Sequence, residues 1–291
     1  MSRACGQVVF TGAAWYSGST LLGMMLGAHP AIFYAGEANK TRTLNDPSAP
    51  LKRRVCRACG PGCPIWDRLR LADGEDLYEA LSRRSGRPIV FDSTKEIHWI
   101  GSALDALGGA VAVRLVVLTR DGRAVVSSRR RKLADATPVH ELAALWAQQM
   151  RGVEELAATF PGPVHRVRYE ELTSRPEHAL RALADFVGVA FDPRMCHPWS
   201  SEQHPLGGND GPLLLLRRAR AHAAVPGVIT PDEPTRAWYA EHPIDVVPDL
   251  RWRRELSADD LAAFEAVAGE ANRAYAWEQP AGPATRRMPN R

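Results

Sequence analysis

The chain is predicted to be a single α/β domain, a parallel sheet flanked by helices on both faces, spanning residues 1–279. Three observations predict it. The chain opens on a strand, a glycine-containing loop and a helix within residues 7–28. Strand-like and helix-like segments then alternate as far as residue 187, the pattern of βα units. Residues 112–119 (AVRLVVLT) form a near-continuous apolar run, typical of a strand covered on both faces. With 291 residues, 45% of them hydrophobic and 24% charged, there is material for a sizeable core.

Each element follows from local signals. Residues 7–11 (QVVFT) read as a short buried strand and 12–18 as a turn. Residues 19–28 read as a helix with a small polar residue at its start, stopped by His29-Pro30. Residues 41–70 read as an irregular insert holding three of the five cysteines. A helix at 74–85, a strand at 88–92 ending in the polar cluster DSTK, and a helix at 99–107 follow. The strand at 112–119 runs into a helix at 123–132 (RAVVSSRRRK). Residues 138–160 carry apolar positions at helical spacing, 164–168 read as a fourth strand, and 176–187 as a helix with Pro176 in its first turn. Residues 197–250 are rich in Pro and Gly without periodicity and read as a long irregular segment, of a kind that is usually functional or mobile. A last helix at 257–275 has Ser257 as its cap, and 280–291 read as a disordered tail. The tryptophans are expected mostly in the core, with Trp15 an exception in the first loop.

Composition narrows the function. The balance of 37 basic and 33 acidic residues, net +4, is too mild to indicate a nucleic-acid protein. The longest apolar stretches fall far short of the roughly 18–20 residues of a membrane span. The first ten residues lack a basic region followed by an apolar run, so no signal peptide is expected. A cytoplasmic protein, monomer or homodimer, is the expectation. Of the basic residues 33 are Arg and only four are Lys (Lys40, Lys52, Lys95, Lys132).

In parallel sheets ligands bind outside the carboxyl ends of the strands. The segments expected there are GAAWYSGST, DSTK and TRDGRAVVSS. Two of them run into helix N-termini, whose unpaired N–H groups favour anions. Their convergence implies a ligand bearing phosphate or sulfate. The first loop is P-loop-like, but it lacks the Lys of a G-K-[ST] ending, so it suits one phosphate group better than a magnesium-bound triphosphate.

Residues 9–37 (VFTGAAWYSGSTLLGMMLGAHPAIFYAGE) resemble the 5′-phosphosulfate loop and helix of sulfotransferases. Residues 115–132 (LVVLTRDGRAVVSSRRRK) resemble that family's 3′-phosphate motif, and 167–188 the segment ending its nucleotide half. The resemblance covers roughly residues 7–190, with a weaker match near 207–209 and Trp252, and it implies that 197–250 close as a lid over nucleotide and acceptor. It implies transfer of a sulfuryl group from 3′-phosphoadenosine 5′-phosphosulfate (PAPS) to a hydroxyl of a small-molecule acceptor, leaving adenosine 3′,5′-bisphosphate, with no metal required. By position, Ser17, Gly18, Ser19 and Thr20 hold the phosphosulfate. Arg120 and Ser128 grip the 3′-phosphate, with Lys132 one turn further on, and Tyr169 contacts the nucleoside. The family's basic residue before Ser-Gly is here Tyr16, a departure for which Lys95 is the natural substitute. Glu37, at the offset of the base in tyrosylprotein-type members, is favoured as base over His98. Asn209, Arg217 and Arg218 are further 3′-phosphate candidates. The Arg129–Arg131 run reads as a solvated helix face. Two other functions stay open, a small-molecule P-loop kinase and a non-catalytic nucleotide-binding protein.

Cys56, Cys59 and Cys63 follow C-x2-C-x3-C spacing. Three readings remain: a local disulfide, simple packing, or zinc or iron–sulfur ligation with a fourth ligand from Cys5, Cys196 or His98. Zinc is not the favoured one. His204 is noted in the lid without a role.

Overall fold

The structure, a computed structural model, describes residues 3–44, 46–71, 75–132, 137–221 and 225–278; the expected tail at 280–291 lies outside them. Five strands, β1 (Gln7–Gly12), β2 (Ile32–Gly36), β3 (Ile89–Asp92), β4 (Ala112–Thr119) and β5 (Val164–Arg168), form one parallel sheet in the order β2-β3-β1-β4-β5. β1 is central because all six of its residues are buried and it pairs along both edges. Side chains alternate across the sheet. Val8 and Phe10 of β1 with Leu115 and Val117 of β4 enter one core, and Val9, Val116 and Leu118 enter the other.

The helices are α1 (Ser19–Gly27), α2 (Leu51–Arg54), α3 (Leu77–Ser85), α4 (Ile97–Leu107), α5 (Gly122–Lys132), α6 (Val139–Thr159), α7 (Tyr169–Ser174), α8 (Pro176–Val187), α9 (Asp210–Ala219), α10 (Glu233–Glu241), α11 (Trp252–Glu255) and α12 (Ala258–Asn272). α3, α4, α6 and α12 contribute to the first core, where Trp146 of α6 packs on Phe264 of α12 at 5.9 Å between ring centroids. Truncating Trp146 to Ala would cost about 3–5 kcal/mol. α1 and α8 contribute to the second core. All nine residues of α1 are buried, as expected of a helix apolar on every side. A Cβ added at Gly23 would come within 2.2 Å of the Tyr34 ring, so the small residue lets α1 lie against β2.

Two sequence expectations are corrected. Among the described residues there are five strands, not four: the run after His29-Pro30 is an edge strand, fully buried and so without the alternation that marks a strand. The 197–250 segment is not irregular throughout. It contains α9, capped by the Asn209 side chain accepting from the Gly211 amide (3.0 Å), and α10, capped by Asp232. The tryptophans are mostly buried, as expected (Trp66, Trp146, Trp199, Trp252 and Trp277), while Trp238, at 40%, joins Trp15, at 43%, as exposed.

Candidate active site

The chain leaves β1 for β2 and β3 on one side and later for β4 and β5 on the other. The crevice at the carboxyl end of β1 is therefore the switch point where α/β sheets take ligands. The β1–α1 loop lies there. Gly18 caps α1 at φ 98°, in the left-handed region, and a Cβ on it would meet the Tyr169 ring at 2.5 Å; only glycine fits both demands. No side chain caps this helix and its first turn has no acidic residue, so its leading amides are left for an anion. Ser17 is buried, and its hydroxyl has no partner among the described residues. Tyr16 holds φ 69°, a conformation costing about 1–3 kcal/mol for a residue with a side chain. Its carbonyl accepts from Arg120 Nη1 at 3.0 Å, which stitches the first loop to the end of β4.

Ser19, Glu37 and Lys95 arrive from the ends of three adjacent strands. Lys95 Nζ donates to Glu37 Oε1 at 2.7 Å, to the Ser93 carbonyl at 3.2 Å and to Ser19 Oγ at 3.3 Å. Asp92, the last residue of β3, sets this up. Fully buried, its carboxylate accepts from the amides of Ala38 and Thr94, the Tyr78 hydroxyl and the Trp99 indole. It thereby locks the loops carrying Glu37 and Lys95 to each other. Ser93 adds a hydroxyl bond to the Gly36 carbonyl at 2.9 Å. Burial pushes the Glu37 carboxyl up, but the Lys95 ammonium, helped by Lys40, outweighs it and the net shift is downward. Glu37 is thus a carboxylate at neutral pH. His98 is exposed in the first turn of α4 and bonds to none of the three.

Arg120 forms a second cluster. Its guanidinium lies 4.1 Å from the Tyr169 ring centroid and donates to the Asp249 carbonyl at 3.2 Å. The Asp249 carboxylate sits among three guanidiniums: Arg251 at 2.8 Å, Arg131 at 3.4 Å and Arg120 at 3.5 Å. Burial opposes its charge, yet Arg251, Arg120 and Arg131 hold its pKa well below the usual carboxylate range. Three arginines around one carboxylate make a strong anion site.

The expectation that the TRDG helix N-terminus offers free amides is corrected. Asp121 N–H donates to Glu170, Gly122 N–H to Asn272 Oδ1 and Arg123 N–H to Asp121 Oδ1, so these amides are already used. Anion binding at this end therefore falls to side chains. The Arg129–Arg131 run is likewise not a bare solvated face. Arg129 lies over the Trp15 ring at 5.2 Å, Arg130 pairs with Asp260, and Arg131 pairs with Asp249 and Glu255. Ser128 is half-buried and its hydroxyl forms no hydrogen bond among the described residues; its neighbour Ser127 bonds to Glu255. Lys132 reaches Asp232 (3.3 Å) and Asp210 (3.6 Å). Arg218 donates to the carbonyls of Tyr239 and His242, and neither it nor Arg217 joins the Arg120 cluster. Asn209 does approach the first loop, its amide donating to Thr20 Oγ1 at 2.9 Å. Asp92, Arg131, Asp249 and Arg251 are the residues sequence reasoning missed. Asp92 was legible as the polar end of a buried strand; Asp249 and Arg251 lie in a stretch with no local signal.

A cleft of about 630 Å³ opens beside Lys95, lined by Ala13, Trp15, Ile97, Leu145 and Gln149 among others. Trp15 and Ile97, both more than two-fifths exposed, give it an apolar mouth. Lys95 belongs to both the cleft and the loop cluster.

The cysteine expectations are also revised. Cys56, Cys59 and Cys63 form no disulfide, and the group converging on them is His204 rather than Cys5, Cys196 or His98. No helix among the described residues is long and apolar enough to cross a membrane.

Comparisons with known proteins bear on the fold and the family. The fold resembles the sulfotransferase domain of the Synechococcus PCC 7002 olefin synthase, at 19% identity over 92% of this chain and 96% of that one, with a TM-score of 0.52. A mouse sulfotransferase solved with PAP aligns at 13% identity over 94% of this chain and 90% of that one, with a TM-score of 0.49. No curated protein matches the sequence. The sequence profile of the sulfotransferase family matches residues 8–193, from β1 to just beyond α8 and well over half of the chain, and the protein therefore belongs to the sulfotransferase family.

Proposed function

We propose that this sulfotransferase moves the sulfuryl group of PAPS to a hydroxyl of a small, partly apolar acceptor seated in the cleft beside Lys95. One observation carries the reading: a single ammonium, Lys95 Nζ, bonds both the loop hydroxyl of Ser19 and the carboxylate of Glu37, at the wall of that cleft. The uncapped start of α1, with Ser17, Ser19 and Thr20, receives the 5′-phosphosulfate. Lys95 supplies the positive charge that Tyr16 lacks. Arg120, with Arg131 and Arg251, takes the 3′-phosphate in exchange for the Asp249 carboxylate, and Tyr169 flanks the nucleoside.

The chemistry follows. The acceptor oxygen attacks sulfur and its proton passes to Glu37. The bond from sulfur to the bridging oxygen breaks, leaving its electron pair on the 5′-phosphate. Lys95 and the α1 amides stabilise that developing charge, the same demand met in phosphoryl transfer. When the donor's anion draws Lys95 from Glu37, the carboxylate loses the partner that lowers its proton affinity and becomes the better base. Residues 1–279 act as one catalytic unit, with the 41–70 insert and the 197–250 segment as its roof. The free thiols suit a reducing compartment, and we place the enzyme in the cytoplasm. Incubating the protein with PAPS and a panel of phenols and hydrophobic alcohols, with mass-spectrometric detection of sulfate esters, tests this. Donor-dependent ester formation supports the reading; unconsumed donor across the whole panel counts against it.

A further inference from the structure

The donor and acceptor sites leave one cluster unused. Sγ of Cys56, Cys59 and Cys63 and a ring nitrogen of His204 all lie within 4.8 Å of one another. His204 Nδ1 is 3.0 Å from Cys59 Sγ and 3.5 Å from Cys63 Sγ. A zinc tetrahedron with bonds of about 2.3 Å to sulfur and about 2.0 Å to nitrogen has edges of roughly 3.5–3.8 Å. We propose that these four side chains form a structural zinc site.

Local geometry supports it. Cys56-Arg57-Ala58-Cys59-Gly60 folds as a tight turn. Its Cys59 amide points at Cys56 Sγ (3.4 Å), and Gly60 returns to bond the Cys56 carbonyl (2.9 Å) at φ 76°, where a side chain would be strained. That turn aims two sulfurs inward and gives one of them an N–H donor. The other nitrogen of His204, Nε2, lies 3.1 Å from Glu202 Oε1. A carboxylate there fixes the proton on Nε2 and leaves Nδ1 to ligate, the usual outer partner of a zinc-bound imidazole. Cys56 and Cys63 are buried, and Cys59 is half-buried. A disulfide would use two sulfurs and leave the third beside an unused imidazole. Four protein ligands close the shell, so the ion has no open position for catalysis. Transfer itself stays metal-free.

The site's position gives it a purpose. The two residues after His204 lie against the sheet edge. The Leu206 amide donates to the Ala35 carbonyl (2.9 Å), and its carbonyl accepts from the Glu37 amide (2.6 Å). The Arg57 amide donates to the Pro205 carbonyl at 2.9 Å, and its guanidinium pairs with Asp210. Further on, Asn209 bonds Thr20. The ion thus pins the insert to the chain that roofs Glu37 and Thr20. Only this consequence rests on the proposed catalytic roles; the metal site stands without them.

The test reads metal, not turnover. Full-length protein is made in zinc-supplemented medium, purified without chelator and analysed by elemental mass spectrometry. One zinc per chain is expected, lost from Cys59→Ser and retained by Cys196→Ser. Cobalt substitution of the wild type should give the thiolate charge-transfer and intense red d–d bands of a tetrahedral sulfur-rich site, and this holds even if the Cys59 variant folds poorly. Substoichiometric zinc in folded wild type after zinc reconstitution overturns the proposal. So does a mass two hydrogens short with a mapped disulfide among the three cysteines, bound iron with sulfide, or full zinc in Cys59→Ser.

Discussion

The two ends of the proposed donor site are built differently. Ser19, Glu37 and Lys95 come from loops at the ends of β1, β2 and β3, three neighbouring strands, and Asp92 bonds the loops of the last two together. The arginine end draws Arg120 from just beyond β4, Arg131 from the last turn of α5, and Asp249 and Arg251 from the stretch before α11. The first end has uncapped helix amides waiting for an anion; the second already holds one of its own. Preorganisation sits where the sheet fixes it, and the binding proposed at the far end exchanges a carboxylate for a phosphate.

That contrast orders the expected effects. The largest is at the strand-end cluster. Glu37→Gln keeps the side-chain shape and removes the proton acceptor, and turnover should fall by roughly 10²–10⁴-fold with little change in bisphosphate affinity. Steady-state kinetics beside a binding titration checks this; unchanged turnover would remove Glu37 from the base role. Lys95→Ala should lower turnover by about 10²–10³-fold, the loss seen when one stabilising donor is removed. A loss confined to KM would instead make Lys95 a binding residue.

At the other end the effects fall on affinity. Arg120→Ala should weaken binding of adenosine 3′,5′-bisphosphate by about 1.5–3 kcal/mol, the range for a lost charged hydrogen bond. Asp249→Asn should do the reverse, tightening it several-fold (about 1 kcal/mol), because a neutral amide competes less for the three arginines. Weaker binding in Asp249→Asn would contradict the exchange.

The smallest effect is in the pH profile. Glu37 has its pKa lowered in the folded protein, so it is ionised above the ordinary carboxylate range. The Lys95 pair's contribution to stability is present above the unfolded carboxylate pKa and is lost as pH falls through the lower folded value. kcat/KM for the donor, which reports the free enzyme, should therefore stay flat from pH ~8 down to about 6 and decline only in the acid carboxylate range. An acid limb near neutrality would point to an imidazole base instead.

The same contrast explains what the sequence revealed. β1, the loop after it and β4 were readable because continuous apolar runs and short motifs are local signals. Lys95 was placed through a strand end, and Glu37 through the offset of the base in the family that the sequence resembles. β2 escaped because five buried residues after a turn show no alternation. α9 escaped although Asn209 carries a capping signal and four leucines follow it, because the glycines before it mask the periodicity. His204 lies 141 positions from Cys63, and Asp249 lies 129 from Arg120. Pairings at such separations are made by the fold and leave no trace in any short window.

The central claim is that both clusters grip one doubly phosphorylated adenosine, and calorimetric titration of the wild type with adenosine 3′,5′-bisphosphate, adenosine 5′-monophosphate and adenosine 3′-monophosphate tests it most directly. One bisphosphate per chain is expected, with each monophosphate binding at least about tenfold more weakly because one charged contact set is lost. No binding of the bisphosphate at millimolar ligand, or a monophosphate binding as tightly as the bisphosphate, would contradict it.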